Sequence, residues 1–314
     1  MINTLTQSAR CLATAAVCFI AWCSSATSAS PQTQGSQRHL TTEELVRTLG
    51  ADKVARLFAE ASEKAHAAPF SIEVLSDSVV LFRGPITSSA AESLVEVLSS
   101  GRVRELRVDS IGGSIDAGIR IGHLIRKLGI HVIVQGLCVS SCANYLFAAG
   151  VARAIAPGAV VVWHGNAFQK TKREFAQCGR TTSSFDGLPF VTAHSPRREA
   201  LAHQFAQRQA METDFAQTVG VDDYVARVGQ EPKFFGNFTM SVANMSKFGL
   251  HDVEAPPDYG SKAFCDRARK EHDLPLHCIE VTDQMLAYER ARRSLGEVCQ
   301  PDGTLRIRTG RAIR

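Results

Sequence analysis

HVIVQGLCVSSCANYLFAAG, residues 131–150, is the stretch on which the fold turns. His131-Val132-Ile133-Val134 is a β-branched run of strand type. The later part, closing on Ala148-Ala149-Gly150, reads as a short helix. Between them lies Gly136-Leu137-Cys138-Val139-Ser140-Ser141-Cys142, where strand becomes helix and two serines stand side by side. Free amides at such a junction, with a helix dipole behind them, favour negative charge. A serine there is ordinarily an N-cap. It becomes a nucleophile when a base lies within hydrogen-bond reach and amides are aimed at the developing oxyanion.

Working outward, the same alternation continues on both sides. Ile72–Leu75 and Val79–Phe82 are β-rich runs joined by the turn Ser76-Asp77-Ser78, and Gly84-Pro85 closes the second. Ala91, Leu94, Val95 and Leu98 then share a helical face. Leu106-Arg107-Val108 is the next strand and ends in Asp109-Ser110-Ile111-Gly112-Gly113, a turn with no side chains to block an approaching carbonyl. Ala117, Ile121, Leu124, Ile125 and Leu128 form a second helical stripe, stopped by Gly129. Downstream, Val160-Val161-Val162-Trp163 delivers His164 to the end of a strand. This order predicts an α/β fold of parallel β-α-β units with right-handed crossovers. Residues 165–195 are polar and irregular, a surface loop. A long helix is expected from Arg197, and another over Thr282–Ser294.

Composition narrows the function. The chain has 314 residues, 45% hydrophobic and 21% charged, with a formal charge of +4. That charge gives no reason to invoke nucleic acid, and the late arginines Arg306, Arg308, Arg311 and Arg314 read as a solvated tail. Arg10, the apolar run Cys11 to Cys23 and the small residues up to Ala29 have the form of a signal peptide over residues 1–29. Residues 30–68 read as a disordered start followed by a helical segment opening at Thr41-Thr42-Glu43-Glu44. Three of the nine cysteines fall in the leader, leaving Cys138, Cys142, Cys178, Cys265, Cys278 and Cys299. An even count in an exported chain favours disulfides, with the pairing open. Neither cysteines nor histidines show metal-ligand spacing.

Several motifs together resemble one family. Val79-Val80-Leu81-Phe82-Arg83-Gly84-Pro85-Ile86, Asp109 through Gly118, Ser141 through Gly150, and Ala156-Pro157-Gly158 with Val162-Trp163-His164 are similar to the proteolytic subunit of Clp protease and its relatives. Met240-Ser241-Val242-Ala243 and Phe248-Gly249-Leu250-His251-Asp252 resemble that family's closing signature. The resemblance spans residues 72–254. It implies a ClpP/crotonase-like domain over 69–254, built of repeated β-β-α units with a mainly parallel sheet, and leaves 255–314 as an accessory, cysteine-containing C-terminal segment. It further implies Ser141 as nucleophile, His164 as general base, and the amides of Gly113 and Cys142 as oxyanion hole. No metal or cofactor enters that chemistry. The expected substrate is a peptide or unfolded protein, without ATP or nucleic acid, in a homo-oligomer of the periplasm.

Three features depart from the family pattern. Counting forward from Gly136-Leu137 selects Ser140, whereas counting back from Ala149-Gly150 selects Ser141. The second count is preferred because spacing along a helix is less elastic than along a loop. Cys138 and Cys142 flank the serines and pair either with each other or with distant cysteines. The acid that orients the histidine is missing from its place: alignment lands near Lys233, with Glu231, Asp222 and Asp223 the nearest carboxylates. A non-catalytic binding or scaffold protein is therefore the competing reading, since fold does not guarantee activity. A crotonase-type acyl-CoA enzyme is disfavoured by export, and a Ser–Lys peptidase using Lys233 leaves His164 without a role.

Overall fold

The structure, a computed structural model, describes residues 69–168, 196–230, 236–299 and 305–307. These all belong to one compact unit of the chain, residues 69–314. The leader, the segment 30–68, Cys178, Glu231 and Lys233 lie outside the described residues, as does most of the loop expected over 165–195.

The described chain is α/β with a mainly parallel, mixed sheet. β1 (Ser71–Ser76) and β2 (Val79–Arg83) form an antiparallel hairpin. Helix α1 (Ser88–Ser99) then carries the chain to β3 (Glu105–Ser110), which lies parallel to β2. Thr87 caps α1 by accepting from the Ala90 amide at 3.0 Å, a bond whose loss costs about 1 kcal/mol. Helix α2 (Ile115–Leu128) crosses back to β4 (His131–Val139), parallel to β3. The core under these elements includes Ile86, Leu94, Leu98, Leu106, Val108, Ile121, Ile125, Val132 and Val134. Burying each aliphatic side chain of this size contributes about 1.5–3 kcal/mol.

β4 serves two partners in succession. Its first half pairs with β5 (Arg153–Ile155) and its second with β6 (Val160–Val162), both parallel. The division falls where β4 bulges: Val108 pairs with Val134, but Ser110 pairs with Cys138. The Asp109 carboxylate accepts the Leu137 amide at 2.9 Å, satisfying a donor that the bulge takes out of the ladder.

A π-helix, Cys142–Phe147, follows β4. It beds into a notch on α2, where a Cβ on Gly118 would lie 2.7 Å from the Tyr145 ring. A Cβ on Gly122 would meet the Phe215 ring at the same distance. Phe215 belongs to α3 (Pro196–Val219), the long helix expected from Arg197. A 3₁₀ turn (Asp223–Ala226) then leads to β7 (Phe238–Met240), α4 (Val242–Ser246) and β8 (Val253–Glu254), which adds parallel to β5.

The C-terminal segment packs on the same unit. After α5 (Lys262–His272), β9 (His277–Ile279) pairs parallel with β7, and a Cys265–Cys278 disulfide joins α5 to β9. Helix α6 (Asp283–Leu295) and the hairpin β10 (Glu297–Cys299) and β11 (Leu305–Ile307) follow. A second disulfide joins Cys138 to Cys142. Two cystines are the pattern of an oxidising compartment. Among the described residues no helix is long and apolar enough to cross a membrane.

Candidate active site

The turn after β4 is built around Ser140. Its φ of +57° is left-handed, shared among the described non-glycine residues by Asp252 and Asp273. For a residue with a Cβ this costs of order 1–3 kcal/mol, held by surrounding contacts. Those contacts are on both sides: the Ser140 amide donates to Val162 O at 3.0 Å, and its carbonyl accepts the Asn144 amide at 2.8 Å. The Cys138–Cys142 disulfide spans the turn. Gly112 packs directly upon it. With φ +84°, a Cβ there would overlap Val139 O and come within 2.9 Å of both Ser140 Cβ and Ser141 N.

The left-handed elbow thus falls at Ser140, one residue before the expected Ser141. The π-helix is the reason: its wider turn holds one more residue than an α-helix does. Counting back from Ala149-Gly150 as though through an α-helix therefore stops one residue short of this elbow. Ser141 itself is 2% exposed, and its hydroxyl donates to Gly113 O at 2.7 Å. By the same displacement, the amide directly after the elbow is that of Ser141 rather than of Cys142.

Opposite this elbow, β6 runs parallel to β4 with Val139 beside Val162, so the two strands end at one rim. His164 lies two residues beyond. Its backbone is fixed before and after: Trp163 exchanges both amide bonds with Phe238, each 2.9 Å, and Gly165 O accepts Asn144 Nδ2 at 3.0 Å. The ring keeps a solvent-open face, while the protein packed around its other sides withholds water and lowers its pKa from the ordinary 6.5. The imidazole is therefore neutral at neutral pH, the form a general base requires. In this structure no hydrogen bond joins His164 to Ser140 or to Ser141, whose hydroxyl is given to Gly113.

The carboxylates near the aligned position are engaged elsewhere. Asp222 caps the 3₁₀ turn through the Tyr224 amide at 2.9 Å and pairs with Arg293 at 2.7 Å. Asp223 pairs with Arg293 at 2.6 Å and with Arg227 at 3.5 Å. Both belong to an ion network on α6 centred on Glu289, which Arg227 reaches at 2.6 Å.

The segment beside His164 is the one that ends in Asn237. The antiparallel bridge Trp163↔Phe238 brings Asn237, which precedes Phe238, near the backbone of His164, which follows Trp163. Asn237 is half-buried, and its carbonyl accepts the His277 amide of β9 at 3.0 Å. Sequence reasoning missed it because an uncharged side chain does not stand out as an acid, and the pairing with Trp163 is long-range.

No protein-family model and no curated protein matches this chain. The functional reading rests on the site's own geometry.

Proposed function

We propose that this chain is a periplasmic serine hydrolase of the ClpP/crotonase-like fold that cleaves peptides, with Ser140 as nucleophile and His164 as general base. The observation that carries it is the left-handed Ser140 elbow, capped by the Gly112-Gly113 turn at the rim where β6 delivers His164. The two cystines support export.

In this reading Ser140 Oγ attacks the scissile carbonyl carbon and its proton passes to His164. The amides of Gly113 and Ser141 receive the oxyanion; in related chemistry each such donor is worth about a hundredfold or more in rate. The tetrahedral adduct collapses to an acyl-enzyme as the amine leaves with the proton from His164. Water, activated by the same imidazole, then releases the acid. Among the described residues no carboxylate is hydrogen-bonded to the ring, and Asn237 precedes Phe238, the residue bridged to Trp163. Without a carboxylate to stabilise the imidazolium, turnover is slow beside a carboxylate triad. Unfolded segments or short peptides are the substrates, taken without an ATP-driven partner by a homo-oligomer.

A fluorophosphonate probe tests this on the purified protein. Wild type and Ser141→Ala are labelled, and Ser140→Ala is not. Absence of labelling in folded wild type across the pH range sinks the proposal. It would instead support a non-catalytic scaffold, a reading favoured by the missing hydrogen bond between His164 and either serine.

A further inference from the structure

Glu212 stands in the middle of α3 and is 3% exposed, among Phe215, Ala216, Val219 and Val225. Among the described residues, the donors that reach it come from the two segments that carry the proposed chemistry. The Tyr145 hydroxyl, on the π-helix five residues past Ser140, donates to Glu212 Oε1. The Ala167 amide, three residues past His164, donates to Oε2 at 3.0 Å and to Oε1 at 3.3 Å. One helical turn earlier, Gln209 Nε2 donates to Ala167 O at 2.9 Å. The residue at 167 is therefore gripped at both its amide and its carbonyl by α3, and the same carboxylate holds the nucleophile's helix.

We propose that Glu212 is a positioning residue whose carboxylate clamps the His164 loop to the Ser140 helix, and whose protonation releases that clamp. The inference rests on the proposed Ser140–His164 site. Its chemistry is a matter of donors and acceptors. An ionised carboxylate accepts from Tyr145 and Ala167 together. A protonated one must itself donate, yet both neighbours are donors, so one contact is lost or Tyr145 must turn its hydroxyl away.

Burial pushes Glu212 up to about 7, against the hydrogen bonds from Tyr145 and Ala167 that draw it down. The other charges facing it come from the 3₁₀ segment and oppose one another, Asp223 raising it and Arg227 lowering it. Tyr145 is raised by burial and by Glu212, with a smaller contribution from Asp116 of α2, and stays protonated. Elsewhere between α2 and α3, among the described residues, His123 lies 3.6 Å from Asp214 and Arg208 lies 3.9 Å from Asp116.

The experiment is the pH profile of fluorophosphonate labelling for wild type, Glu212→Gln and Tyr145→Phe. Wild type loses labelling on the acid side with a midpoint near 7. In Glu212→Gln, which no longer titrates, labelling at about pH 8 falls by up to about tenfold for the lost charge-assisted bond. Its acid limb moves down to the range set by His164. Tyr145→Phe, which removes a bond to the anion, moves the limb up. A limb that coincides in all three overturns the inference while leaving the hydrolase intact.

A second measurement needs no activity: thermal unfolding in a Ser140→Ala background, with and without Glu212→Gln. The folded pKa of Glu212 lies above its ordinary 4.5. Its contribution to stability is therefore fully present below that value and is lost as pH rises through about 7. The Gln variant gains on its parent between about pH 5 and pH 8. A difference that does not change with pH overturns the clamp, whether or not the protein hydrolyses anything.

Discussion

Ser141 and Gly113 are joined by a 2.7 Å hydrogen bond from the serine hydroxyl to the glycine carbonyl. That contact ties the residue behind the elbow to the turn after β3, so the two proposed oxyanion amides are set by one bond. Water can reach the Gly113 carbonyl, so removing the bond costs about 0.5–1.5 kcal/mol, the net worth of an ordinary hydrogen bond. Ser141→Ala is expected to lower the unfolding free energy, read from denaturant titration, by that amount and to slow fluorophosphonate labelling without abolishing it. Ser140→Ala, which removes no such bond, should abolish labelling with little change in stability.

The Cys138–Cys142 disulfide encloses Val139, Ser140 and Ser141. A loop this short removes little denatured-state entropy, so breaking it costs about 2 kcal/mol. The larger expected effect is local, because the cystine helps hold Ser140 left-handed. Cys138→Ser with Cys142→Ser is expected to cut the labelling rate by more than its modest loss in melting temperature would imply. A double variant labelled as fast as wild type would remove the disulfide from the site.

Asn237 adjoins Phe238, the bridge partner of Trp163, and a carboxylate placed there would stabilise an imidazolium at His164. Asn237→Asp is expected to raise kcat/KM for a peptide substrate by about tenfold or more at neutral pH. The check is a steady-state comparison with an otherwise identical chain. Unchanged or lowered kcat/KM would separate residue 237 from His164.

Glu289 tests the network that takes Asp222 and Asp223 out of the site. Although burial alone would raise it, hydrogen bonds from Arg292 and Arg227 hold it down at about 2. A depressed carboxylate contributes stability above its ordinary 4.5, and that contribution is lost as pH falls through about 2. Glu289→Gln is expected to cost about 3 kcal/mol near neutrality by removing the closest anionic partner of the buried Arg227. The gap between variant and wild type should narrow below about pH 4, as read from urea midpoints across pH.

Much of this fold was legible locally. The β-branched runs at Val79, Leu106, His131 and Val160 each became strands, because their apolar alternation suits a sheet covered by helices. Gly129, left-handed at φ +66°, ends α2 as its position implied. Val95 was counted on the core face of α1 yet is only half-buried; the seat goes instead to Ala90, fully buried on that helix. The second role of α2 was hidden. Gly118 and Gly122 look like weak points in a helix until Tyr145 and Phe215 arrive to fill the space they leave.

The site divides in the same way. Residue types and order along the chain marked two serines at an elbow, a glycine turn and a histidine at a strand end, since each depends on neighbours a few positions away. Which serine takes the elbow depended on a π-turn, and a one-residue insertion in a helix leaves no compositional trace. That Phe238 bridges Trp163 beside His164, and that Glu212 grips both segments, depended on contacts between residues far apart in the chain. Such contacts are set by how the strands and α3 pack, which the periodicity of each segment does not encode.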